Sequence, residues 1–306
     1  MKLSIVTTLY KSAAYIEEFY RRVSLEAKNI TEDYEIIFVD DGSPDNSLQK
    51  TIRIQKEDAK VKVLELSRNF GHHKAILTGL AHARGQFVFL IDSDLEEEPE
   101  LLGKFWKEMQ SNKNIDVVYG VQESRKGNSF EKWSGDLFYS FFNKISDVKV
   151  PRNVLTCRLT TQDYNKALTS HKEREVFLAG LWIISGFNQK PLVVKKHSHS
   201  ETTYSLRHKF SMLFNSLTSF SSFPLKFIFY LGSFISIFSF IFAATIIFKK
   251  LFLGVQLEGW SSLIVSLWFL GGIIIFSIGL VGIYISKLFS EVKQRPYTII
   301  RKTYKQ

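Results

Sequence analysis

The sequence predicts an α/β fold, with a mostly parallel sheet covered by helices on both faces, followed by two helices that cross a membrane. Two observations favour this fold class. Short β-branched runs alternate with segments of helical spacing in the N-terminal part, and from Phe227 onward long uncharged apolar runs replace the mixed composition. Strands that alternate with helices bury a parallel sheet between helical layers, and ligands gather at the carboxyl ends of such strands.

The alternation starts at the N-terminus. Two β-branched runs flank a segment in which apolar residues recur at helical spacing, and the same order of elements then continues along the chain. The predicted strands are 3–8, 35–39, 61–66 and 86–91, and the predicted helices are 13–29 and 73–83. This order is typical of repeated strand–helix–strand units.

Two uncharged stretches, 227–248 and 260–286, are each long enough to cross a hydrocarbon core of about 30 Å as a helix. Soluble core helices of this length usually show a polar face, so we favour membrane spans over a buried helix pair. More Lys and Arg residues precede the first stretch and follow the second than lie between them. The positive-inside rule therefore predicts that both termini are cytoplasmic.

These patterns divide the chain into four regions. We predict a globular domain at 1–205, a juxtamembrane amphipathic helix at 206–224, a two-helix transmembrane unit at 225–290 and a basic cytoplasmic tail at 291–306. The juxtamembrane segment has the pattern of a helix lying on the membrane surface, although a helix packed on the globular domain fits equally well.

The net charge of +10 fits an anionic membrane surface or an anionic ligand. No nucleic-acid partner is expected, because the chain shows neither a recognisable binding motif nor basic and aromatic residues interleaved on one face. Cys157 is the only cysteine, which excludes an intrachain disulfide and a cysteine-based zinc site and suits a reducing compartment.

Acidic turns follow two of the predicted strands. Asp40 and Asp41 come directly after the strand at 35–39, and Asp92 and Asp94 follow the strand at 86–91. One such turn is a weak signal, since a capped loop before a helix looks similar. Two acidic strand ends in one alternating domain are stronger, because carboxylates suit a hard divalent cation that bridges phosphate oxygens.

Taken together and in order, these motifs resemble the family 2 glycosyltransferases of the GT-A, Rossmann-like fold. Within that family the chain resembles the polyprenyl-phosphate hexosyltransferases, which include dolichol-phosphate mannosyltransferase-like and bacterial bactoprenol glucosyltransferase-like proteins with two C-terminal transmembrane helices. The matching segments are SIVTTLY at 4–10, DDGS at 40–43, SRNFGHHKA at 67–75, DSDL at 92–95, PE at 99–100, YGV at 119–121, RL at 158–159 and FSSFPL at 220–225, together with Arg125, Lys132, Phe138 and Tyr139. The resemblance covers nearly the whole chain.

The resemblance implies roles in donor binding for residues at the ends of the first, second and fourth predicted strands. Thr8, Tyr10 and Asp40 would border the base and ribose of a nucleotide sugar, with Asp41 supporting the turn. Asp92 and Asp94 would face the diphosphate and a metal ion, Mg²⁺ or Mn²⁺, which would neutralise charge on the leaving group.

The resemblance also implies a phosphorylated lipid as acceptor. Arg125 and Lys132 would bind the acceptor phosphate, although for both residues a solvated surface position is an equal alternative. A phosphate oxygen is already ionised near neutral pH. Positioning and electrostatic stabilisation can therefore supply most of the catalysis.

Three positions depart from the family pattern. Glu96 replaces the usual Gln after the acidic pair, and could add a metal ligand. Lys11 follows Tyr10 where relatives often continue to a Glu that contacts the nucleotide. Thr156 and Cys157 stand where a Gly-Asp-Phe-Arg-Leu motif supplies a carboxylate that has been considered as a catalytic base.

His72 and His73 are adjacent in the family-like loop near the expected donor site. Neighbouring histidines on a loop more often lie on the surface or make hydrogen bonds than bind a metal. We therefore interpret this pair as non-ligating.

The resemblance implies an inverting transferase that moves a hexose from a nucleotide sugar to undecaprenyl phosphate at the cytoplasmic face of the inner (plasma) membrane, for cell-surface polysaccharide. One alternative is a family 2 transferase that extends a lipid-linked oligosaccharide. A second is a non-catalytic membrane scaffold, against which the retained acidic residues argue. A homo-oligomer formed through the membrane helices is compatible with the sequence, although no motif requires one.

Overall fold

The computed structural model describes residues 1–122, 153–173, 176, 178–195, 223–253 and 259–305. The chain forms two compact units. One is a sheet unit, which also includes the residues from Arg295 onward, and the other is a helical unit that ends at Gln294.

Strands and helices alternate through the first half of the sheet unit, as the sequence predicts. Its elements are β1 (Leu3–Leu9), α1 (Ile16–Ile30), β2 (Tyr34–Asp40), α2 (Ser47–Glu57), β3 (Val61–Leu66), α3 (His72–His82), β4 (Phe87–Leu90), α4 (Leu101–Ser111), β5 (Val117–Gln122), β6 (Val154–Thr161), α5 (Gln162–Ser170), α6 (Leu178–Ile184), β7 (Gln189–Val194) and β8 (Ile300–Tyr304). The strands form one sheet in the order β7-β5-β6-β4-β1-β2-β3-β8.

The centre of the sheet is parallel. β4, β1, β2 and β3 run in the same direction, while β6 pairs antiparallel with β4 and β8 pairs antiparallel with β3. Every residue of β1 and β2 is buried, as expected for strands covered on both faces. The first four strands lie within one residue of their predicted ends, and the mixed α/β fold is confirmed.

Helices cover both faces of this sheet. On one face the ring of Phe19 in α1 packs edge-on against Phe38, and Phe105 in α4 does the same against Phe89, each with ring centroids 6.1 Å apart. On the other face α3, α5 and α6 pack around the buried Tyr164. The two cores hold the central strands firmly and fix where their carboxyl ends meet.

The C-terminal segment departs from the predicted basic tail. Residues 300–304 form β8, with Val63 opposite Tyr304 and Leu64 opposite Thr303. Ile300 and Tyr304 pack on the cores, whereas the basic residues between them remain exposed. A short, positively charged strand is a common way to finish a sheet edge, and this explains why the segment looks like a solvated tail in the sequence.

The helical unit contains the two predicted apolar helices, α7 (Phe223–Leu253) and α8 (Trp260–Val292). By length and composition both could cross a membrane, over Phe223–Phe242 with a mean hydropathy of 1.9 and Ser266–Val292 with 2.2. Their large apolar side chains are exposed: Phe240 is 78% and Ile275 is 73% accessible. The core helices of a soluble protein would bury such side chains. Most of the predicted juxtamembrane helix, 206–222, lies outside the described residues.

Candidate functional site

The carboxyl ends of β1, β2 and β4 meet at one edge of the sheet, which we call the acidic edge. In β1 and β2, Leu9 lies opposite Asp40, and the backbone N–H of Asp41 donates to the Leu9 carbonyl at 3.1 Å. On the β4 side, the Ser93 hydroxyl donates to the Thr8 carbonyl at 2.9 Å. Parallel pairing therefore brings both acidic turns beside the end of β1, as their places after the strands predict.

Asp40 ends β2 and is 2% exposed. Burial raises the pKa of its carboxyl to about 6, against the opposing effect of the Ser43 and Gly42 backbone N–H groups and with a smaller contribution from the charge of Glu65. Its Oδ1 atom is buried and accepts no hydrogen bond from any described residue. Such an unpartnered oxygen is costly in a folded protein, and it is a natural acceptor for an N–H donor on a ligand.

Asp41 ties the turn after β2 to the loop between β3 and α3. Its two carboxylate oxygens accept the backbone N–H groups of Phe70 at 2.7 Å and Gly71 at 3.0 Å. Gly42 next to it has a φ of +62°, and a Cβ there would lie 2.6 Å from the Asn69 nitrogen. Only glycine permits this approach, so the two loops form one wall of the acidic edge.

A second carboxylate, Asp45, holds the loop that follows β1. It accepts hydrogen bonds from the hydroxyls of Ser43 and Ser47 and from the backbone of Ala13. Burial alone would raise the pKa of Asp45, but these hydrogen bonds outweigh it and lower the pKa to about 2. Asp45 thus remains ionised and keeps the loop carrying Tyr10 in place.

The turn after β4 carries Asp92 and Asp94. The Oδ1 atom of Asp92 is buried and makes no hydrogen bond to a described residue, and the Nε2 atom of His72 lies 3.5 Å from it. Asp94 accepts the backbone N–H of Glu96 at 3.0 Å. Leu95 between them has a φ of +59°, a strained conformation of the kind that clusters at functional sites.

The predicted ligand set of Asp92, Asp94 and Glu96 is not assembled as a three-carboxylate cluster. Within the described parts of the chain, no three His, Cys, Asp or Glu side chains are grouped closely enough to hold a metal ion. One carboxylate of the turn is engaged by the backbone of Glu96, while another keeps a buried oxygen unpaired. This arrangement fits Mg²⁺ or Mn²⁺ that binds together with phosphate oxygens rather than in a closed protein cage.

The residues predicted to bind the nucleotide lie at the acidic edge. Thr8 is largely buried, and its hydroxyl lies 3.1 Å from the Nδ1 atom of His72. Tyr10 is half exposed, so that its ring is accessible to a flat ligand. Arg125 and Lys132, predicted to bind the acceptor phosphate, lie outside the described residues.

Two residues of the family-like segments make contacts that the sequence does not reveal. Arg158 matches the family motif, but it is 1% exposed and stacks on the Trp182 ring, donating to the carbonyls of Leu155 and Thr156. Its burial lowers the pKa of the guanidinium to about 10. His72 is exposed and hydrogen-bonds to Thr8, with Asp92 3.5 Å away, which agrees with the surface or hydrogen-bonding position that the sequence suggests. The left-handed Gly71 before it is the local signal that could have marked its special position.

Comparisons with known proteins identify the family of the chain. The glycosyl transferase family 2 profile matches residues 4–169. A Mycobacterium tuberculosis protein named as a glycosyltransferase is 51% identical over 99% of this chain and 89% of its own length. The SfII prophage-derived bactoprenol glucosyl transferase of Shigella flexneri is 30% identical over 100% of this chain and 99% of its own.

Among solved structures, a mycobacterial protein matches with a TM-score of 0.50 and 15% identity, over 71% of this chain and 74% of that protein. This likeness concerns the fold alone. The family match and the full-length relatives show more: the chain belongs to glycosyl transferase family 2 and is a glycosyltransferase of the GT-A fold.

Proposed function

We propose that this protein is an inverting hexosyltransferase that transfers a hexose from a nucleotide sugar to a polyprenyl phosphate, of the undecaprenyl type, at the cytoplasmic face of the inner membrane. The observation that carries the proposal is the acidic edge, where two buried carboxylate oxygens, one on Asp40 and one on Asp92, have no hydrogen-bond partner among the described residues. The oxygen of Asp40 suits an N–H donor on a nucleotide base, and the oxygen of Asp92 suits a cation beside a diphosphate.

The donor's base would lie near Asp40. The unpartnered Oδ1 atom accepts an N–H of the base, the exposed ring of Tyr10 stacks on it, and Thr8 borders the same space. Asp41 acts on the wall of this space, because its carboxylate holds the neighbouring loop by two backbone N–H groups.

The diphosphate would lie beside Asp92 and Asp94. These side chains would hold Mg²⁺ or Mn²⁺, with phosphate oxygens of the donor completing the coordination and Glu96 as a further candidate ligand. When bound, the cation neutralises charge that develops on the leaving nucleoside diphosphate.

The acceptor side of the proposal is supported by the bactoprenol glucosyl transferase relative, which matches along its whole length. A lipid phosphate needs no base to become a nucleophile, since it is ionised near neutral pH. This agrees with Thr156 standing where relatives carry an Asp, and with Cys157, whose thiol pKa is raised by burial so that it stays protonated. Arg125 and Lys132 would bind the acceptor phosphate.

The two apolar helices and β8 support the proposed membrane topology. β8 comes after α8 in the chain, yet it pairs with β3 in the sheet that contains β1. A chain that crosses a bilayer between these strands must cross it an even number of times. Two crossings, with both termini on the cytoplasmic side, agree with this constraint and with the distribution of basic residues.

The proposal is tested with the purified full-length protein in detergent. A panel of nucleotide sugars is supplied with Mg²⁺ or Mn²⁺ and either undecaprenyl phosphate or a lipid-linked oligosaccharide, and the lipid products are weighed by mass spectrometry. We expect one added hexose on undecaprenyl phosphate. Transfer to the oligosaccharide alone would support the second acceptor class instead.

The variant Asp94→Asn tests the proposed role of Asp94 as a ligand of the cation in the same assay. We expect it to lose transfer by at least about a hundredfold, because the cation loses a charged ligand, while the melting temperature stays near that of the wild type. A variant with the wild-type rate and unchanged metal dependence would contradict the role of Asp94.

A further inference from the structure

His72 is the first residue of α3, and its backbone is held rigidly. Gly71 before it has a φ of +101° and donates its N–H to Asp41, while the Gly71 carbonyl accepts the N–H groups of Lys74 and Ala75 at 3.0 and 3.1 Å. The backbone of His72 is therefore placed by the start of α3 and by the contact of Gly71 with Asp41.

The two ring nitrogens of His72 face two different strands. Nδ1 lies 3.1 Å from the hydroxyl of Thr8 at the end of β1, and Nε2 lies 3.5 Å from the carboxylate of Asp92 after β4. The neighbouring His73 points elsewhere, with its Nδ1 atom 3.2 Å from the Val176 carbonyl. Of this adjacent pair, His72 is the one that contacts the acidic edge.

The contact with Thr8 is a hydrogen bond in either tautomer of the His72 ring, because a hydroxyl can donate or accept. In the tautomer that carries its proton on Nε2, the Thr8 hydroxyl donates to Nδ1 and the Nε2–H faces the Asp92 carboxylate. The ring of His72 therefore lies between Thr8 and Asp92.

The Asp92 oxygen that faces the ring is the buried Oδ1, which makes no hydrogen bond to a described residue. Nε2 lies beside this oxygen at 3.5 Å, longer than an ordinary hydrogen bond. The oxygen therefore has a polar neighbour and is still able to bind a cation.

We propose that His72 is a positioning residue that orients the Asp92 carboxylate for the divalent cation, from a place fixed by Thr8 and the start of α3. This inference rests on the proposed function, because it takes Asp92 as a cation ligand. Residues that orient a metal ligand commonly change metal affinity by about 10- to 100-fold when they are replaced.

The test measures Mn²⁺ binding by the full-length protein with electron paramagnetic resonance, in parallel arms with UDP and with GDP as the probe nucleotide. We expect His72→Ala to weaken Mn²⁺ binding about tenfold and to raise the Mn²⁺ concentration needed for half-maximal transfer, with a smaller effect on kcat at saturating Mn²⁺. His82→Ala, at the far end of the same helix, is the control and should bind Mn²⁺ as the wild type does.

Two conservative variants distinguish the effect of a polar group at the place of Nε2 from the effect of side-chain size. The amide of His72→Gln reaches the place of Nε2 and should restore much of the Mn²⁺ affinity, whereas the amide of His72→Asn reaches only the place of Nδ1 and should not. Equal affinities of the Gln and Asn variants, or a His72→Ala protein with wild-type Mn²⁺ affinity, would overturn the inference.

Failure of the wild type to bind Mn²⁺ with either nucleotide would have a different meaning. It would remove the cation site from the proposed function, and the role of His72 with it. Binding by the wild type that is lost in Asp94→Asn but unchanged in His72→Ala would leave the proposed function standing and reject only the role of His72.

Discussion

At the scale of single residues, burial of Asp40 lowers the stability of the folded protein while its carboxyl is ionised. Its carboxyl pKa is about 6 in the folded protein and 3.8 when exposed. An acid whose pKa is raised by folding destabilises the fold when ionised, so the cost is fully present above about pH 6 and disappears as the pH falls through 6 toward 3.8. A buried group with such a raised pKa is a candidate for a functional role.

We expect Asp40→Asn to raise the free energy of unfolding at pH 8 by up to about 3 kcal/mol, and by much less at pH 4. The same variant should lose donor binding, because an amide presents a different hydrogen-bonding pattern to the base. Thermal unfolding at the two pH values and calorimetric titration with the nucleotide check both effects. A variant that is less stable than the wild type at pH 8, or that binds the donor equally well, would contradict this account.

His72, Thr8 and Asp92 show a second residue-scale feature, since side chains from three different segments meet at one edge of the sheet. Thr8 lies near the end of β1, His72 begins the helix after β3, and Asp92 follows β4, but the spacing along the sequence does not reveal which side chain faces which. The pairing depends on the lateral order β4-β1-β2-β3 in the sheet, which is a tertiary property.

At the scale of elements, the turn after β2 is defined by contact between two backbones. Gly42 and Gly186 both have a positive φ, but a Cβ would meet the backbone of Asn69 and Arg68 at Gly42, and nothing within 4 Å at Gly186. Alanine variants at the two positions therefore distinguish the cost of backbone strain alone from the cost of strain together with a steric clash.

We expect Gly42→Ala to lower the free energy of unfolding by more than about 2 kcal/mol, because it adds a clash to the strain of the left-handed conformation. Gly186→Ala, which adds only the strain, should cost about 1 kcal/mol. Donor affinity should fall in the first variant alone. Chemical denaturation and nucleotide titration of both proteins provide the measurement, and equal costs would show that the close approach is not maintained.

β8 covers the outer edge of β3. Besides the strand pairing, the Tyr304 hydroxyl donates to Glu65 at 2.8 Å and the Ile299 carbonyl accepts the Ser67 N–H at 2.9 Å. These contacts secure the end of β3 and the start of the loop that leads to His72.

We expect removal of residues 296–306 to lower the melting temperature by several degrees and to promote aggregation, because β3 becomes an exposed edge strand. Removal of residues 305–306 leaves β8 in place and serves as the control. Size-exclusion chromatography and thermal unfolding in detergent measure both effects. A truncated protein that remains monodisperse with an unchanged melting temperature would show that β8 contributes little.

At the scale of the whole molecule, one sheet contains segments that precede and follow the two apolar helices. The sheet therefore acts as a constraint on topology that is independent of charge distribution. Any assignment that places the N-terminal domain and the C-terminal strand on opposite sides of a bilayer would break the pairing of β3 with β8.

We expect a cysteine introduced at Glu57 or at Lys302, both exposed side chains, to be protected from a membrane-impermeant maleimide in intact cells. A cysteine placed at Gln256, in the connection between the apolar helices, should be labelled. Cys157 is buried and provides little background. Labelling after cell lysis controls for reactivity, and labelling of the Lys302 variant but not the Glu57 variant in intact cells would refute the topology.

Much of the architecture was accessible from the sequence, because it depends on local properties. Apolar periodicity located the first four strands and two of their helices, the length of the uncharged runs located α7 and α8, and the acidic turns marked the ends of β2 and β4. Each of these signals is contained in a window of neighbouring residues, where spacing and composition directly express the local geometry.

What only the tertiary structure decided are the contacts between distant segments. Glu65 and Tyr304, separated by 239 residues, meet across the edge of the sheet. Arg158 matches a family motif but is buried against Trp182, and His72 lies between Thr8 in β1 and Asp92 after β4. A local pattern carries no information about which strand lies beside which, so the sequence by itself predicted the acidic residues and the fold class, while the sheet order determined which side chains lie together.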